Sequence, residues 1–129
     1  MSCLAAVLSV ALIATPGDDC RNGWTDADTT RAWVDRTLIG VDWLQTRWIV
    51  EPEGQKAGFV EGGPLLSGNG RNPSKARIDT HFAVVAMILP VMMWATPPKY
   101  RAPFQYVVIG VHAGVVGRNI YMGVKLDLD

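Results

Sequence analysis

The chain has 129 residues, with 12 Lys plus Arg against 12 Asp plus Glu, so its formal net charge is zero. That length holds one domain, and the charge balance excludes a dedicated nucleic-acid binder, which carries a basic excess, and a disordered acidic or basic tail. Charged residues make up 19% and apolar residues 49%, against about 25% charged in average soluble domains, so composition points to a membrane protein.

Residues 1–16, MSCLAAVLSVALIATP, form a short apolar run. Its length suits a signal-peptide core. No Lys or Arg precedes it and no clean small-x-small site directly precedes Pro16, so a retained short membrane helix is the expectation, with a cleaved signal-like segment as the alternative. Cys3 and Cys20 flank this run, and that separation argues against a disulfide between them. Residues 28–50 read as a helix, interrupted by Asp35, Arg36, Asp42 and Arg47. Residues 51–76 read as a loop rich in Gly, Pro, Ser and Asn; a loop longer than about 15 residues is uncommon unless it is functional or disordered. Ser74 is placed to cap the next helix.

Residues 77–97 form the next expected helix, and from 80 to 98 there is no charged side chain. This stretch is apolar all round apart from His81, unlike the striped helix of a soluble core. Pro90 inside it is tolerated in a membrane bundle, where neighbours re-satisfy the freed carbonyl. Residues 104–124 make the last expected helix. Gly110, Gly114 and Gly117 share one of its faces, where small residues let helix backbones approach each other. The alternative is a buried strand at 106–111, which is short and rich in β-branched residues. Trp33, Trp48 and Trp94 near the helix ends fit an interfacial aromatic belt.

The expected fold is therefore all-α: one small polytopic membrane helix bundle over 1–129, with three to four transmembrane helices, in the bacterial inner membrane. Arg47, Lys56, Arg71, Lys75 and Arg77 cluster around the 51–77 loop. The positive-inside rule puts that loop on the cytoplasmic side, and both chain ends with it if all four segments span.

Asp42, Gln45 and Thr46 lie three and four residues apart, on one helix face, and Asp35 extends that face by two turns. A carboxylate at the centre of a membrane helix costs roughly 2.5–3.5 kcal/mol on insertion scales, so it faces the bundle interior and finds a partner. His81, His112, Arg118 and Asn119 are the candidates; His112 and Asn119 are seven apart, on one face. The cluster Asp42, Gln45, Thr46, His81, His112 and Asn119 reads as interhelical hydrogen-bond glue, or as an interior site that binds a metal or relays protons. No cofactor is expected. A metal or haem between His81 and His112 is the one arrangement conceivable, although the two depths match poorly. No Gly-x-Ser-x-Gly, P-loop or haem-attachment motif occurs, and no catalytic residue is assigned.

The order Asp42-x-x-Gln45-Thr46, then Glu61-x-x-Pro64-Leu65-Leu66, then Asn72-Pro73-Ser74 ahead of an apolar helix resembles a class of small polytopic membrane proteins of bacteria and phages. The likeness covers roughly residues 38–124. It departs at Gly62 and Gly63, where the class carries an asparagine. The resemblance implies architecture and brings no activity. The expected role is a structural or accessory subunit that packs with itself or with a larger membrane complex, its partners being membrane lipid and other subunits. Two alternatives stand beside it: a phage-type membrane-permeabilising, lysis-related protein, and a small membrane enzyme or carrier using Asp42 with His112.

Overall fold

A computed structural model describes residues 23–59 and 73–128. The expected helix at 1–16, both cysteines, and Glu61 through Asn72 of the resemblance lie outside the described residues. The described residues form helices α1 (Asp26–Ile49), α2 (Pro52–Lys56), α3 (Lys75–Ala95) and α4 (Pro98–Tyr121), and contain no strand. The all-helical expectation holds among the described residues, and the strand alternative at 106–111 is overturned. Those six residues sit inside α4, where their β-branched side chains are spread around the helix rather than alternating.

Helix α1 opens on a capping box. Thr25 accepts from the Asp28 backbone N–H, and the Asp28 carboxylate accepts from the Thr25 N–H in return, which satisfies two otherwise orphaned donors. Asp26 and Asp28 in the first turn and Arg47 in the last suit the helix dipole. Ser74 caps α3, as its position anticipates, by accepting from Arg77 N–H.

Helix α4 starts at Pro98, six residues ahead of expectation. The expected helix bounds, 77–97 and 104–124, leave 98–103 with Lys99, Arg101 and Pro103 as the connecting loop. The reason for the difference lies in Thr96, Pro97 and Pro98. Prolines 97 and 98 have no N–H, so the carbonyls of Met93 and Trp94 lose their regular helical donors. The Arg101 guanidinium supplies them instead, donating to the carbonyls of Met93 (3.2 Å), Trp94 (3.4 Å) and Thr96 (3.0 Å). The cation therefore closes the α3–α4 turn from inside and does not mark a boundary.

The stretch expected to be one long loop contains α2. Pro52 occupies its first turn, where a missing N–H costs nothing. Gly54 presses against the end of α1, so that a Cβ there would lie 2.4 Å from the Trp48 carbonyl oxygen.

The tight turn makes α3 and α4 antiparallel. Contacts between α1 and α4 pair 28 with 105, 35 with 112 and 42 with 119, so these two helices run parallel. An apolar cluster of Ile39, Ile78 and Phe82, flanked by Trp43, Val85 and Leu89, joins α1 to α3. A second cluster of Trp48, Ile49 and Val124, with Phe59 against it, sits at the opposite end from the turn.

Candidate functional site

Asp28, Asp35 and Asp42 follow one another at intervals of seven along α1, and Gln105, His112 and Asn119 do the same along α4. Residues seven apart return to nearly the same face of an α-helix. In parallel helices the two series therefore meet rung by rung. At the first rung Arg31 Nε donates to Gln105 Oε1 (2.6 Å), Arg31 Nη2 donates to Asp28 Oδ1 (2.6 Å), and Gln105 Nε2 donates to the Asp28 carbonyl (3.2 Å). Arg101 Nη1 lies 3.7 Å from Asp28 Oδ2. At the middle rung His112 Nδ1 and Asp35 Oδ1 are 2.6 Å apart. At the third, Asn119 Nδ2 donates to Gln45 Oε1 (3.1 Å) and reaches Asp42 Oδ1 at 3.5 Å.

This seam is buried. Asp35 and Gln45 are each 1% exposed and Gln105 is 0%. Burial of a polar group without a partner costs several kcal/mol or forces neutralisation, which accounts for the dense pairing.

Five of the six expected cluster residues join or border this seam. Thr46 is buried beside Gln45. Of the candidate partners of Asp42, Asn119 is the one that reaches it, whereas His112 meets Asp35 rather than Asp42. Parallel packing sets this, because it matches residues by their distance along each helix, and His112 is level with Asp35. His81 stands apart. It lies two turns into α3 and makes an edge-to-face contact with Phe82 (centroids 5.3 Å). Among the described residues it bonds to none of the seam groups, and a metal or haem held by His81 and His112 gains no support from this placement. No group of three or more His, Cys, Asp or Glu among the described residues is arranged to hold a metal ion.

Sequence reasoning missed the first rung and both ends of the seam. Gln105 lies seven residues before His112 and Asp28 seven before Asp35, and that repeat is the signal that would have found them. Beyond the third rung, Arg47 donates to both Asp79 oxygens (3.0 and 3.1 Å) and to Asp127 (3.0 Å). Trp43 Nε1 also donates to Asp79 (2.8 Å). Lys75 donates to Asp127 (3.0 Å) and pairs with Glu51. Beyond the first rung, Arg101 stacks over Trp24 at 5.1 Å.

No protein-family profile, curated protein or solved structure matches this chain.

The outward surface has the opposite chemistry. Met87, Ile88 and Met92 on α3 and Tyr106, Val107, Val111 and Ile120 on α4 are all exposed. Gly110, Gly114 and Gly117 are exposed too, on the side of α4 away from α1, and a Cβ built on any of them meets no other atom within 4 Å. Among the described residues the glycine face does not pack against the chain's own helices. A groove of about 390 Å³ runs between α1 and α3, lined by Ile39, Gly40, Trp43 and Phe82 with Arg36 and Asp79 at its margins. Among the described residues α3 alone is long and apolar enough to cross a membrane, with only 17% of that stretch buried. Charged and amide side chains interrupt α1 and α4.

Proposed function

We propose that this chain is an integral protein of a bacterial inner membrane, a bundle in which α1, α3 and α4 all span, acting as a structural or accessory subunit that packs with itself or with a larger membrane complex. The reading is carried by one observation: ionisable and amide groups line the α1–α4 interior while large apolar side chains cover the outside. Monomeric soluble proteins rarely expose contiguous apolar patches of more than a few hundred Å², whereas lipid accepts such a surface and drives polar groups inward. Two further features support it. The 21 residues of α3 extend about 32 Å at 1.5 Å per residue, close to the roughly 30 Å hydrocarbon core. Exposed Thr30, Thr37 and Thr80 donate their hydroxyls to carbonyls four residues back, which removes the polar groups that lipid would leave unsatisfied. In this orientation the 51–76 segment and residues 122–128 share the cytoplasmic side.

Alkaline carbonate extraction of membranes tests the location. The chain is expected in the pellet, and its recovery in the soluble fraction would refute the reading. The subunit role places the open face of α4 against another helix. Gly114→Leu leaves the contacts among the described residues intact, so it is expected to abolish an oligomer or complex seen in mild detergent. Val115→Leu, about a quarter-turn around α4, is expected to leave it in place. Equal behaviour of the two variants removes the glycine face from the interface.

A further inference from the structure

We propose that the α1–α4 seam transfers protons across the membrane, with Asp35 and His112 as its central donor–acceptor pair. The inference rests on the membrane reading above and adds an activity to it.

The pair sits deep in the bundle. Asp35 and His112 each lie nine residues from the nearer end of their helices, about 13 Å at 1.5 Å per residue. In a spanning bundle that depth is inside the hydrocarbon layer, where an ionisable residue marks a functional site by default. The pair is also chemically distinct from the other rungs. Holding two helices together needs only amides, as Asn119 and Gln45 show at the third rung. The middle rung instead brings an acid and a base to 2.6 Å, a distance at which one proton serves both. The seam is continuous on both sides of the pair. Asp28 and Asp42 stand one heptad away on either side in the same seam, about 10 Å along the axis. Both ends of the seam lead to further charged groups, Arg31 and Arg101 at one and Arg47 and Asp127 at the other.

The groups around the pair are Asp28, Arg31, Arg36 and Asp42 from α1 and Arg101 from α4. From α3 come Asp79 and His81, neither of which bonds to the pair among the described residues. His112 keeps 17% of its side-chain exposure against 2% for Asp35, so the imidazole receives the proton. A proton taken from hydronium by Nε2 of the neutral ring makes the imidazolium. The Nδ1 proton then moves to Asp35 Oδ1, and the carboxylic acid releases it to the next carboxylate along the seam. One proton enters and one leaves, and return of the ring proton from Nε2 to Nδ1 resets the site. The 10 Å steps exceed a hydrogen bond, so water must bridge the rungs.

The test uses the full chain in vesicles loaded with a pH-sensitive dye, with external acid and with valinomycin and potassium to compensate charge. Carbonate resistance of the vesicles is scored first, because loss of insertion sinks the membrane reading and this one together. With insertion shown, proton influx several-fold above protein-free vesicles is expected from the wild-type chain. Asp35→Asn and His112→Gln should each return it to the protein-free rate. Ile120→Leu on the outer face should not. Absence of wild-type influx overturns proton transfer while leaving the subunit reading standing. Full influx in folded Asp35→Asn or His112→Gln, with helicity checked by circular dichroism, also overturns it.

Discussion

Arg101 is 1% exposed and joins three parts of the molecule. Its guanidinium reaches the α3 carbonyls of Met93 and Trp94, the Asp28 carboxylate and the Trp24 ring. A guanidinium spreads five donors over a rigid planar fork and so reaches acceptors on different sides of it, which the compact ammonium of a lysine does not span. Arg101→Lys is therefore expected to destabilise the bundle by about 1–3 kcal/mol, the cost of leaving buried acceptors without donors, read as a lower unfolding midpoint in detergent. An unchanged midpoint would mean that water or the backbone satisfies those carbonyls. Asp35→Ala removes the acceptor of His112 in the seam and is expected to cost about 1–3 kcal/mol on the same scale. In a double-mutant cycle the loss should largely vanish when His112 is already alanine. Additive losses would show that the two side chains act separately.

Two glycines illustrate how elements differ in tolerance. Gly40 sits inside α1 at the groove, and an added Cβ meets nothing within 4 Å. Gly40→Ala should therefore raise stability by about 0.5–1 kcal/mol, the helix-propensity difference. Gly54 in α2 has the Trp48 carbonyl oxygen 2.4 Å from any Cβ. Gly54→Ala is expected to lift α2 away from α1 and break the Trp48–Phe59 contact (centroids 5.5 Å), so protease cleavage between 52 and 59 should accelerate. Unchanged cleavage would place that segment in a different packing. The α1–α4 pairing is an element-scale property as well. Rungs at every heptad exclude small slips along the axis, because a slip of one residue turns each side chain by about 100° away from its partner.

Across the whole molecule, the chain after α4 ties three helices together. Gly123, at φ 86°, turns the backbone in a conformation that favours glycine. Val124 is buried with Trp48 and Ile49. The Asp127 N–H donates to the Leu44 carbonyl, and its carboxylate receives Arg47 and Lys75. Removal of residues 124–129 is expected to lower the unfolding temperature and to loosen the end of the bundle away from the α3–α4 turn first, visible as faster amide exchange in the last turn of α1 and the first turn of α3. Asp127→Asn should reproduce part of that loss, and because Lys75 is part-exposed (38%), salt should shrink the difference between this variant and the wild-type protein. A salt-independent difference would assign the tie to Val124 and the backbone bond.

Much of the helical architecture is legible in the residues themselves. The neutral stretch at 80–98, the cap at Ser74 and the shared face of Asp42, Gln45 and Thr46 follow from local chemistry and a 3.6-residue period, which act within one helix. The spacing of His112 and Asn119 is of the same kind. Which histidine meets which aspartate is not local. It depends on two helices running parallel and on how far each is shifted along its axis, and the α3–α4 turn and the C-terminal tie impose that. Arg101 makes the same point in reverse: by sequence it is part of a basic loop, and only the missing N–H groups of two prolines, brought within reach of its side chain by the fold, turn it into the buried clasp of a helical hairpin.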